Sequence, residues 1–192
     1  MKSTKRKLFK LLLVAPFVFT LGISLADNSS GVPGSYSNFT DTGDRDLSRR
    51  LGIPDYIPMS ELLPNLLTVI DQITKYRAPD SLPDIKKVPH SVIEDYACGE
   101  PCAALAVYRS GDGIYLDESM DPETDVFARS VLLHELVHYV QDIHKELAGL
   151  EDCERWFRRE REAYHIQKRF LGMVGSRIRV GYAAGDICSS SP

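Results

Sequence analysis

Between residues 60 and 76 large aliphatic side chains return every three or four positions: Leu63, Leu66, Leu67, Val69, Ile70 and Ile73. That period predicts an amphipathic helix. Pro64 belongs in the first turn of such a helix, where no backbone N–H is needed, so the spacing predicts a start near it. Residues 85–88 are a short strand candidate that Pro89 ends, and Ser91 with Glu94 has capping-box spacing for a short helix. Residues 103–109 and 114–117 read as two strands joined by a turn at 110–113, where two glycines flank an aspartate. Asp121-Pro122-Glu123 then supplies an N-cap, a proline at the first helical position and an early acid, which predicts a long helix to about Lys145. A second long helix is expected from about 151 to Gly172 or Gly175. The order is helix, strand, hairpin, helix, helix, an α+β fold with a short antiparallel sheet.

The chain begins differently. Lys2, Lys5, Arg6, Lys7 and Lys10 form a basic stretch, an apolar run follows over 11–21, and Ser24 and Ala26 are small residues at signal-peptidase positions. This predicts a signal peptide over 1–26, cleaved on export, so the mature protein is secreted or periplasmic. Residues 27–50, rich in Ser, Gly, Asn and Asp, read as a flexible lead-in to one domain over 51–192. Cleavage removes five of the 23 basic residues and none of the 27 acidic ones, leaving a net charge of −9. So acidic a chain is a poor partner for nucleic acid, and no later segment is apolar enough for a membrane span. Four cysteines in an exported protein predict two disulfides, preferred here as Cys98 with Cys102 and Cys153 with Cys188. The competing use of the close pair is a thiolate-held zinc, but no second close pair accompanies it.

Chemistry concentrates on the long helix. His134-Glu135-Leu136-Val137-His138 is an HExxH motif, whose two imidazoles stand about 40° apart on one helical face and reach one ion. Glu135 projects about 100° away, beside the ion and outside its ligand shell, where a carboxylate activates a water on the open position. The bland alternative is an amphipathic helix that happens to carry two histidines. Such a helix would set them on its polar face, yet the line through Phe127, Ser130, Val131, His134, His138 and Gln141 begins apolar, with Leu133, Val137 and Val140 beside it.

The next helix offers a third ligand, Glu160 or Glu162. Trp156, Phe157, Ala163, Gln167, Leu171 and Val174 lie within about 60° of Glu160, which places it centrally on the inward stripe. Glu162 falls on the opposite face among Arg158, Arg161, His165 and Arg169, where a solvated carboxylate is ordinary. A buried, unpaired carboxylate costs several kcal/mol, so Glu160 needs a cation; zinc is the expected one and a buried arginine the ordinary alternative.

HExxH followed 22 residues later by Glu160 in Glu160-x-x-Ala163 resembles the gluzincin zinc metallopeptidases, over roughly a third of the mature chain. The longer string also resembles a group of short exported bacterial proteins of unassigned function. The gluzincin resemblance implies a small zincin-like domain holding one Zn²⁺ through His134, His138 and Glu160, with Glu135 as catalytic base and a peptide or protein as substrate. It also implies an antiparallel edge strand beside the site, for which 114–117 is the candidate. Thermolysin-like members have an aspartate where this chain has Tyr164, so Gln167 or Asp142 is expected to orient a histidine instead. Tyr139, His144 and His165 are expected to be structural or solvent-facing. Two other readings remain: a zinc-stabilised binding protein without activity, and a hydrolase of cell-wall crosslinks or other non-peptide amides.

Overall fold

The computed structural model describes residues 54–181; the expected signal peptide, the lead-in and Cys188 lie outside them. Helix α1 spans Met59–Ile73 and buries Leu62, Leu63, Leu66, Leu67 and Ile70. It starts a turn earlier than Pro64 predicts. Two features explain this. The Met59 N–H at the helix start donates to Glu123 Oε1 at 2.7 Å, so a tertiary contact caps the helix in place of a side chain of its own. Pro64 cannot bond the Ser60 carbonyl, but both residues are exposed, so water can take that carbonyl's partner role.

Strand β1 (Ile85–Val88), helix α2 (His90–Ala97), and strands β2 (Ala106–Arg109) and β3 (Gly113–Asp117) follow. The sheet order is β1-β3-β2, with β1 parallel and β2 antiparallel to β3. The sheet is therefore mixed, where the sequence predicted an antiparallel one. The 114–117 segment lies in its centre with all five β3 residues buried, so β1 and β2 form the two edges, β2 being the one against the long helix that follows. Antiparallel pairing follows from the short turn; the parallel pairing with β1 is long-range and leaves no local signal. The turn needs Gly113 at φ +118, because a Cβ there would lie 2.5 Å from the Asp84 carbonyl oxygen. Helix α2 has Pro89 before it and no side-chain cap. Glu94 does not close a capping box; its carboxylate accepts from the Cys102 amide instead.

Helix α3 (Val126–His144) is capped by Asp125, whose side chain accepts from the Ala128 N–H. The expected start at Asp121 is one turn early. Asp121 instead closes a separate turn, accepting from Asp125 N–H and Thr124 Oγ1–H. α3 is buried nearly all round from Ala128 to His138, the mark of a central helix. It packs on β2 and β3, on α1, and along α4 (Asp152–Met173). One core joins α1, α3 and α4, and a smaller cluster of Ala106, Leu116, Met120, Ala128 and Val131 seals α3 to the sheet. The buried stripe of α4 runs only from Ala163 to Leu171; Trp156, expected on it, is exposed because the core ends short of the helix's first turns. Cys98 and Cys102 form a disulfide, and Cys153 is also disulfide-bonded. Among the described residues no helix is long and apolar enough to cross a membrane.

Candidate metal centre

Tertiary packing brings His134 and His138 of α3 against Glu160 of α4. His134 Nε2 and His138 Nε2 are 3.1 Å apart, and the two Glu160 oxygens lie 3.3 and 3.1 Å from them respectively. A tetrahedral ion with bonds of ~2.0–2.1 Å sets its ligand atoms about 3.3 Å apart. Each separation here is of that order, with one Glu160 oxygen turned to each histidine, and one ligand atom from each residue lies within 4.8 Å of the others. Both histidines are buried and Glu160 is about four-fifths buried. Three ligand atoms on two packed helices could therefore hold a metal ion. Burial alone pushes the Glu160 carboxyl up, but the His134 and His138 imidazoles that face it outweigh this and hold the carboxyl well below its usual range.

The surroundings decide which imidazole nitrogens face the triangle. His134 Nδ1 meets Gln167 Oε1 at 3.2 Å, and Gln167 Nε2 donates to Ser130 Oγ, whose own hydrogen goes to the Phe127 carbonyl. His138 Nδ1 meets Gln141 Oε1 at 3.0 Å. Each Nδ1 thus faces an amide oxygen and carries the hydrogen, which leaves both Nε2 lone pairs for a metal. Gln167, one of the two residues expected to reach a histidine, does so. Asp142, the other candidate, does not reach a histidine; it accepts from Tyr108 OH at 2.9 Å and Ser110 Oγ at 2.6 Å. Gln141 was visible on the histidine line, but nothing in the spacing assigned it a partner.

Glu135 is buried on α3 beside the triangle, and its Oε2 accepts from the Tyr108 N–H of β2 at 2.7 Å. The edge strand is thereby tied to this carboxylate. Glu162 departs from expectation. It is half-buried and accepts from Tyr76 OH at 2.6 Å and from Gln141 Nε2 at 2.9 Å. The helical wheel of α4 could not show this, because both partners come from other helices or loops. Tyr164, noted in the sequence only as standing in place of an aspartate, packs on a histidine. Its ring stands edge-on to His134 with centroids 4.5 Å apart, and burial, aided by the Glu160 and Glu135 charges, pushes the phenol up to about 12. The phenol therefore stays protonated. Tyr139 and His144 are structural, bonding Ser81 and the Arg77 carbonyl, and His165 is exposed.

Residues 56–189 match a family described as a domain of unknown function (DUF6647). The chain belongs to this family. The match spans every element from α1 to α4, so the triad is carried by a DUF6647 domain and not by an appended segment. No curated protein matches the chain, and no solved structure does.

Proposed function

We propose that this DUF6647 protein is a zinc-dependent hydrolase, and specifically a metallopeptidase of gluzincin type. The observation that carries the reading is the buried group of His134, His138 and Glu160, with each Nδ1 set against a glutamine side-chain oxygen and Glu135 beside it. Two imidazoles and one carboxylate suit zinc over the hard cations, which prefer oxygen ligands alone. When bound, the ion supplies Lewis-acid polarisation of a carbonyl and lowers the pKa of water at its open position.

The chain's own residues perform the rest. Glu135, outside the triangle, takes the proton of the attacking water and passes it to the leaving amine. Its Oε2 rests on the Tyr108 amide, so Oε1 is the oxygen available for that transfer. Tyr164, whose ring packs against His134, is the nearby phenol we assign to support the oxygen that becomes negative as the carbonyl is attacked. β2 is the edge strand beside the helix, and an extended peptide would align there.

The test is metal content of the purified protein, with and without chelator, together with hydrolysis of unstructured proteins. About one zinc per chain and chelator-sensitive cleavage are expected. Zinc held firmly with no cleavage of peptides would replace the peptidase with a zinc-stabilised binding protein, or with a cell-wall hydrolase if sacculi are digested.

A further inference from the structure

Glu162 lies two residues beyond the triad's carboxylate and faces away from the triangle, yet it is connected to it. The connection runs through Gln141. The Gln141 side-chain amide has two ends with different chemistry: Oε1 only accepts and Nε2 only donates. Two acceptors surround the Nε2 end, Glu162 Oε2 at 2.9 Å and the Arg159 carbonyl at 3.3 Å. The amide can therefore sit only one way round, with Oε1 on His138 Nδ1 at 3.0 Å. An acceptor at that point requires Nδ1 to carry the hydrogen, so the lone pair of His138 is on Nε2, the atom 3.1 Å from Glu160. Tyr76, at the end of the segment after α1, donates to the same Glu162 oxygen at 2.6 Å and holds the carboxylate in place. Arg159 adds a bond from its guanidinium to the His138 carbonyl at 3.3 Å, which fixes this stretch of α4 on α3.

From this chain of bonds we infer that Glu162 is a positioning residue for the metal centre: acting through Gln141, it selects the His138 tautomer and so sets metal affinity without touching the ion. The His134 side needs no such carboxylate, because Ser130 fixes the Gln167 amide there. The inference rests on the metal-binding half of the proposed function and is independent of whether the protein cleaves peptides. In Glu162→Gln the shorter of the two constraints is lost, and only the Arg159 carbonyl at 3.3 Å still favours the original orientation. A neutral amide at 162 can donate as well as accept, so Gln141 can turn over and present its NH₂ to His138. The imidazole then keeps its hydrogen on Nε2, the wrong atom for a ligand.

The experiment measures the zinc dissociation constant of the protein by competition with a chromophoric chelator. Glu162→Gln should weaken binding about 10- to 100-fold, the usual effect of removing an orienting partner behind a ligand histidine. The decisive variant is the exchange Gln141→Glu with Glu162→Gln. It places an acceptor-only group directly on His138 Nδ1 and should restore affinity to within about threefold of the parent. A purely structural Glu162 would not be rescued by an exchange that keeps position 162 neutral. Glu162→Gln with unchanged affinity, or an exchange variant as weak as the single one, overturns the inference while leaving the metal centre standing. A parent protein that takes up no zinc overturns both together.

Discussion

At the scale of single residues, the proposed function separates holding an ion from using it. Glu135 bonds the Tyr108 amide and takes no place in the ligand triangle. Glu135→Gln should therefore leave zinc content and the melting temperature near those of the parent while cutting kcat by about 10²–10⁴, the usual worth of a general base. Equal rates in parent and variant would dismiss Glu135 as the base. Glu160→Gln should have the opposite signature, loss of zinc together with activity. Tyr164→Phe keeps the ring against His134 and removes only the hydroxyl. Zinc should be retained, KM should change little, and kcat should fall about 10²-fold if the phenol supports the developing oxyanion. A kcat within twofold of the parent would assign Tyr164 to packing alone.

Among the elements, α1 carries a local conflict that tertiary contacts override. Pro64 stands in its second turn, exposed, where it forfeits the bond to Ser60. Pro64→Ala should stabilise the protein by about 1–3 kcal/mol, visible as a higher denaturant midpoint with unchanged slope. A lower midpoint would mean that the proline's constraint on the unfolded chain outweighs the missing bond. The join between α2, the disulfide loop and β3 depends on pH. His90 Nδ1 lies 2.6 Å from Asp117 Oδ2 and Nε2 lies 3.1 Å from the Cys102 carbonyl, with the Glu94 carboxylate 3.5 Å from Nε2. Both ring nitrogens face acceptors, so the bonds need the imidazolium. Burial works against that charge, but the Asp117 bond and the Cys102 carbonyl outweigh it and raise the pKa. Asp117 is lowered: burial raises it, and bonds from Ser119 and His90 more than reverse this. The signs follow by linkage. The His90 contribution is complete below about pH 6.5 and lost as pH rises through the raised value. The Asp117 contribution is present above about pH 4 and lost as pH falls through the lowered value. His90→Gln should thus cost stability at pH 5.5 and little at pH 9, by less than about 1 kcal/mol because the histidine is partly exposed. A stability gap that stays constant between these two pH values would exclude the charged clamp.

For the whole molecule, the triad bridges α3 and α4, two of the three helices that share the main core. An ion bound there adds to folding stability by mass action, about 2.7 kcal/mol at a hundredfold excess over its dissociation constant. Zinc should raise the melting temperature, chelator should lower it, and His134→Ala should abolish the difference. Identical melting curves with and without zinc, at concentrations far above the dissociation constant, would show that the ion does not link the helices.

Local pattern determined much of this protein. Helical period located α1, α3 and α4 to within a turn, turn glycines located the hairpin, and the HExxH spacing with the Glu160 stripe selected the three residues that converge. These features are legible because each depends on neighbours a few positions away: side chains at i and i+4 share a face wherever the helix ends up. Tertiary structure decided what depends on distant partners. It made β3 the central strand by pairing it with β1, and left β2 to meet Glu135. It turned Glu162, which lies opposite Glu160 on the helical wheel, into a partner of Tyr76 and Gln141, because α3 and the segment after α1 cover part of that face. It started α1 a turn early by lending it Glu123, 64 residues away. The helical wheel ranks the faces of one helix, but a polar side chain takes its role from whichever donor or acceptor the fold sets against it, and that choice is not encoded at any fixed spacing.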